Sequence, residues 1–189
     1  MTGHRFKPEK AEKLLDPKRT KLILPEKVIE YLDIQENDVV ADLGAGNGFL
    51  TIPLAQKNKA DVFAVDIEPK MLDLLKERAQ TEKLNNIHYI VSDLEDIKMD
   101  SAQVNKTVIA FVMHEIPNLE KALSEFKRIT KSGGRILIID WEAIESEVGP
   151  PLHERISSAK MESFLKEKGF STKVYKPNES VYAISCDLL

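Results

Sequence analysis

The chain predicts a doubly wound α/β fold: a seven-stranded sheet, mostly parallel, closed by an antiparallel C-terminal hairpin. Three observations carry this. Five short runs rich in Val and Ile (39–43, 61–66, 88–91, 107–112 and 135–140) do not alternate with polar residues, so both faces of each must be covered, as in a parallel sheet. Segments with helical spacing lie between them, the order that winds helices over both faces. Beyond residue 169, two more strand-like runs (170–175 and 181–186) are separated by only residues 176–180. That link is too short for a helical crossover and suits a hairpin.

The elements follow in order. Residues 25–32 read as a short helix before the first strand, 39–43. A helix over 48–57 carries Leu50 and Leu54, and its Pro53 fits only within the first turn. After strand 61–66, Pro69 suits a first helical turn, and Met71, Leu74, Leu75 and Ala79 nearly make one apolar stripe. Strands 88–91 and 107–112 come next. Leu119, Ala122, Leu123 and Phe126 then fall at i, i+3, i+4 and i+7. Strand 135–140 follows. Met161, Phe164 and Leu165 mark a last helix that stops at Gly169, a C-terminal cap residue. Right-handed crossovers join the parallel strands.

Composition sets the outer limits. The 189 residues are 42% hydrophobic and 31% charged, with one cysteine and a net charge of -4. One domain over 25–189 is expected, preceded by an arm over 1–24. The apolar content excludes a disordered chain, and a single cysteine excludes a disulfide scaffold or a multi-cysteine metal site; no metal is expected. No apolar run approaches the length of a membrane span, and the first residues show no apolar signal region, so a cytoplasmic protein is expected. The mild acidity argues against bulk nucleic-acid binding. Residues 1–20 nevertheless carry six Lys/Arg and three acids. This arm serves either as a solvated tail or as a basic lid over a site.

The chemistry-bearing residues sit at strand ends. Asp42-Leu43-Gly44-Ala45-Gly46-Asn47-Gly48 closes the first strand. Glycines there permit a sharp turn and let a ligand approach bare backbone. Asp66 ends the second strand, 20 residues beyond Gly46, where an acid can accept hydrogen bonds from ribose hydroxyls. Asp93 ends the third strand, where a carboxylate can accept from an adenine amino group. Taken singly, each acid serves a cap or turn as readily as a ligand. Together they point to a nucleoside cofactor. Phe49 stands where a dinucleotide fingerprint needs its third glycine, and no phosphate-cradling Gly-Lys-Ser/Thr follows. A nicotinamide-dependent oxidoreductase is therefore the weaker alternative.

The successive stretches VVADLGAGNGFLTIPLA, AVDIEPKML, VSDLEDI, FVMHEIPN and SGGRILIIDWE resemble the motifs of class I S-adenosylmethionine-dependent methyltransferases, Rossmann-like domains. They are most similar to the small ubiquinone/menaquinone-type group. The resemblance spans roughly residues 25–189. It implies S-adenosylmethionine as cofactor and methyl transfer to a small-molecule acceptor by in-line displacement, leaving S-adenosylhomocysteine. It implies that Gly44, Gly46 and Gly48 approach the methionine part and that Asp42 lies near its amino end. Asp66 would hold the ribose, Ile67 would lie on the adenine, Asp93 and Leu94 would meet its edge, and Phe111 would stand close to the reactive sulfur.

On the acceptor side, His114 is the candidate base or substrate partner, although His114 or Glu115 could equally cap a helix starting near Pro117. Trp141 could wall the pocket or simply pack at a strand end. The 149–155 stretch could shape the pocket or be a plain turn. From the arm, His4, Arg5, Phe6 and Arg19 are candidate substrate contacts. No Pro-Pro-Tyr or Pro-Pro-Phe follows the fourth strand, unlike methyltransferases of exocyclic amines in nucleic acids and glutamine. Cofactor binding is better marked than chemistry, so a non-catalytic cofactor-binding regulator is the other alternative.

Overall fold

The computed structural model describes residues 22–188. Its elements are α1 Pro25–Leu32, β1 Val40–Leu43, α2 Thr51–Lys57, β2 Val62–Asp66, α3 Pro69–Thr81, β3 Ile87–Val91, β4 Val104–Ala110, α4 Leu119–Ile129, β5 Thr130–Trp141, α5 Ser158–Glu167, β6 Ser171–Tyr175 and β7 Val181–Asp187. The seven strands form one sheet in the order β3-β2-β1-β4-β5-β7-β6. Strands β1 to β5 pair in parallel, and β7 pairs antiparallel with both β5 and β6. The expected mixed sheet with its C-terminal hairpin is the observed one. The hairpin inserts β7 next to β5 and leaves β6 at the edge.

Successive residues of one strand feed opposite cores. On β5, Leu137 and Ile139 join Val28, Leu32, Leu54 and Leu75 from α1, α2 and α3. Ile136 and Ile138 join Phe126, Ile129, Met161 and Leu165 from α4 and α5. All six residues from Ile136 to Trp141 are buried. Double coverage is thus the physical reason for the unbroken apolar runs.

Strands β4 and β5 differ most from the sequence expectation, the other strand ends by one residue at most. Strand β4 starts at Val104 rather than 107 and stops at Ala110 rather than 112. After the buried Val104 its next residues, 105–107, are polar, and the Asn105 side chain is occupied accepting from the Val39 N–H at 3.0 Å. It stops because Phe111 takes φ +61° and turns the chain into a short 3₁₀ turn over Met113–Glu115. Strand β5 begins at Thr130, immediately after α4, and crosses an irregularity before Arg135. Thr130 donates to the Phe126 carbonyl, so the Thr107 hydroxyl donates in turn to Thr130 at 2.7 Å. Gly134 then passes where a Cβ would lie 2.6 Å from the Asn105 carbonyl.

Helix ends follow local chemistry. Pro53 is the third residue of α2, within its first turn as required. Helix α4 is capped by Asn118, whose side chain accepts from the Lys121 N–H at 3.0 Å. Neither His114 nor Glu115 caps it. After α5, Gly169 takes φ +85° and its N–H reaches the Lys166 carbonyl, while Phe170 reaches back to Leu165. These are the paired bonds of a left-handed C-terminal stop.

Candidate cofactor and acceptor site

Strand order reverses between β1 and β4, and ligands in open α/β sheets bind outside the carboxyl ends of the strands at such a point. A cavity of about 740 Å³ opens there, within the size range of small-molecule sites. Asp42, Gly44, Gly46, Asp66, Ile67, Asp93, Leu94, Phe111, His114 and Trp141 all line it. Five successive strand ends therefore deliver the sequence-chosen residues to one space. Gly48 is not among the lining residues. Its missing Cβ is required for packing, since Leu75 of α3 fills that position and its φ is +89°. His4, Arg5, Phe6 and Arg19, with the proposed lid, lie outside the described residues.

The glycine loop is held from both ends. Gly44 and Ala45 N–H groups donate to the Val65 carbonyl at 2.8 and 3.0 Å. Asp66 Oδ2 accepts from Gly46 N–H at 2.8 Å, and Oδ1 accepts from Glu68 N–H at 2.9 Å. Arg78 of α3 donates to the Asn47 carbonyl. Each Asp66 oxygen keeps acceptor capacity beyond these bonds. Burial raises the Asp66 pKa, against the opposing effect of the Glu68 and Gly46 amides.

Asp42 is buried in the cavity wall. Burial pushes its pKa up to about 6, against the Thr51 hydroxyl, which donates to Oδ2 at 2.6 Å, and with help from the charge of Asp66. Among the described residues no cation acts on this buried carboxyl, which is suited to receive one. Thr51 was not legible as its partner, because nothing in the sequence links positions nine apart at a strand end and a helix start.

Across the cavity, His114 and Asp140 form a pair. Asp140 is 1% exposed, and His114 Nδ1 lies 2.8 Å from Oδ1 and 3.1 Å from Oδ2. The same carboxylate accepts from the backbone N–H of His114 at 3.1 Å and of Trp141 at 2.8 Å. Burial works to lower the His114 pKa, but the Asp140 hydrogen bond and charge, with Glu115 and Glu154, leave it raised. Asp140 thus fixes ring and backbone together, with Nδ1–H as donor, while Nε2 on the other side of the ring lies 3.8 Å from Glu115 Oε1. The Glu142 carboxylate turns away to Ser158 Oγ at 2.6 Å. Phe111 and Trp141 meet at 5.2 Å between centroids with a tilt of 47°, linking the two halves of the cavity.

A profile of the methyltransferase domain matches residues 34–179. The chain belongs to the methyltransferase domain family. This methyltransferase domain is 32% identical over 123 residues to the ubiquinone/menaquinone biosynthesis C-methyltransferase UbiE of Rhizobium etli, a match covering 64% of the chain and 46% of that protein. It is 40% identical over 81 residues to a probable ribosomal RNA small subunit methyltransferase A of Methanosphaera stadtmanae, covering 43% of the chain and 29% of that protein. The chain therefore spans less than half the length of these curated relatives. The crystal structure of a SAM-dependent methyltransferase from Aquifex aeolicus superposes with a TM-score of 0.92 at 29% identity, covering 98% of this chain and all of that one. Among the described residues no helix of this methyltransferase domain is long and apolar enough to cross a membrane.

Proposed function

We propose that the chain binds S-adenosylmethionine in this cavity and transfers its methyl group to a small molecule held between His114, Trp141 and the 142–155 loop. The carrying observation is the convergence of Asp42, Asp66 and Asp93, from three strand ends, on the cavity that His114 also lines. Asp42 would hold the cationic amino group, Asp66 the ribose, and Asp93 with Leu94 the adenine edge, with Ile67 on the adenine face.

The cofactor supplies an activated methyl on a sulfonium, whose departure leaves a neutral thioether. The protein's task is then alignment, which can supply roughly 7–11 kcal/mol of a barrier. Phe111 and Trp141 wall the line of approach. The bound cofactor would supply the methyl carbon and leave as a thioether that keeps the old bond's electron pair; an acceptor held beside His114 would attack with a lone pair, or a carbon acceptor with a π-electron pair, and His114 Nε2 would take the proton that the acceptor gives up. Asp140 stabilises the resulting imidazolium. The Rhizobium relative's name specifies a carbon acceptor, and the apolar rings beside His114 suit a flat, weakly polar one. Residues 25–189 form one domain in this reading.

Two measurements test it. Labelled S-adenosylmethionine should transfer methyl to at least one member of a panel of hydroquinones, phenols, amines and thiols. Calorimetry should show saturable S-adenosylhomocysteine binding, none of NAD, and a loss of at least roughly tenfold in affinity for Asp66→Ala. Binding without transfer to any acceptor would leave a cofactor-binding regulator, and NAD binding would indicate an oxidoreductase.

A further inference from the structure

We infer that Arg155 is the positioning residue that builds the acceptor-side wall, by folding the loop over residues 142–151 against Trp141. This rests on the reading above only in assigning that half of the cavity to the acceptor. Arg155 Nη1 donates to the Ile144 carbonyl and to Ser146 Oγ, each at 2.8 Å, and reaches the Glu142 carbonyl at 3.4 Å. Nη2 donates to the Val148 carbonyl at 3.0 Å, and Nε donates to the Pro150 carbonyl at 2.8 Å. The loop has no helix or strand to hold it. One guanidinium instead gathers its carbonyls, using donors fixed in a planar fork that a lysine ammonium lacks.

The same guanidinium stands 5.5 Å over the Trp141 ring. Gly149 brings backbone onto that ring beside the guanidinium, at φ +102°, where a Cβ would lie 2.9 Å from two ring carbons and 3.1 Å from Arg155 Nη2. The opposite surface of the loop (Glu147, Val148, Gly149, Pro150 and Pro151) faces into the cavity with His114. Arg155 does not itself line the cavity. It therefore acts through the loop, and Trp141 carries the loop's position to Phe111.

Trp141 is the only tryptophan in the chain, so its fluorescence reports this wall directly. In Arg155→Met, acrylamide quenching of Trp141 should rise about twofold or more, and a glutamate-specific protease should cut at Glu145 and Glu147 roughly tenfold faster. Arg155→Lys should fall between wild type and Met. Gly149→Ala, whose Cβ would press on both Trp141 and Arg155 Nη2, should move both readouts the same way. Affinity for S-adenosylhomocysteine should stay within about threefold of wild type, while the ranking of the acceptor panel shifts. Wild-type quenching and cleavage in Arg155→Met would overturn the inference. So would a parallel loss of cofactor affinity and melting temperature, which would make Arg155 a general stabiliser. If wild type methylates nothing in the panel but quenching and cleavage respond as stated, the methyl-transfer reading fails and the loop staple stands.

Discussion

Asp42 is the residue whose chemistry most depends on what is beside it. Burial raises its pKa to about 6, so in the free protein it is half protonated near that pH. A cationic amino group binds the ionised form. Affinity for S-adenosylhomocysteine should therefore climb as pH rises from about 5 to 7, by up to about tenfold per unit below the pKa, and then level. Asp42→Asn should flatten the profile, and calorimetry at several pH values reads it. Stability of the free protein runs the other way. The folded state holds a proton that the unfolded chain, with an ordinary aspartate pKa near 4, has released. Between roughly pH 4 and 6 the free protein thus loses stability as pH rises, and bound cation relieves the loss. His114 illustrates a neighbouring contrast: burial opposes its charge, and Asp140 restores it.

At the level of elements, the glycine loop and the 3₁₀ turn carrying His114 are mechanically joined. A Cβ on Gly44 would lie 2.5 Å from Val112 Cγ2, and Gly44 already has φ +74°. Gly44→Ala should therefore displace both the loop and the turn that follows Val112. It should cost about 1–3 kcal/mol of stability and weaken S-adenosylhomocysteine binding roughly tenfold or more. Gly133 has the same φ of +74° but nothing within 4 Å of its Cβ position. Gly133→Ala should cost only about 1 kcal/mol and leave binding unchanged. Comparing the two by denaturant unfolding and calorimetry separates backbone strain from steric contact. Glycine spacing announced a tight turn after β1, but the different duties of Gly44 and Gly48 depend on Val112 and Leu75, residues remote in sequence.

For the molecule as a whole, the cavity borders residues from β1, β2 and the segments after β3, β4 and β5. A ligand that binds only this assembled state stabilises all of it. At about 100 times its dissociation constant, S-adenosylhomocysteine should add about 2.7 kcal/mol and raise the melting temperature by roughly 5–10 °C. NAD at the same concentration should leave it unchanged, and thermal unfolding monitored by Trp141 emission checks both. The local text of the chain was enough to specify seven strands, their pairing sense and the acids at three strand ends, because burial on both faces and turn chemistry are short-range demands on residue type. It was also enough to mark the glycine turn and His114. It could not specify Thr51 as the partner of Asp42, Asp140 as the partner of His114, or Arg155 as the holder of the 142–151 loop. Those pairings depend on which strand ends and loops the sheet order brings side by side, and a side chain's partner across that distance leaves no mark on its own neighbours in sequence.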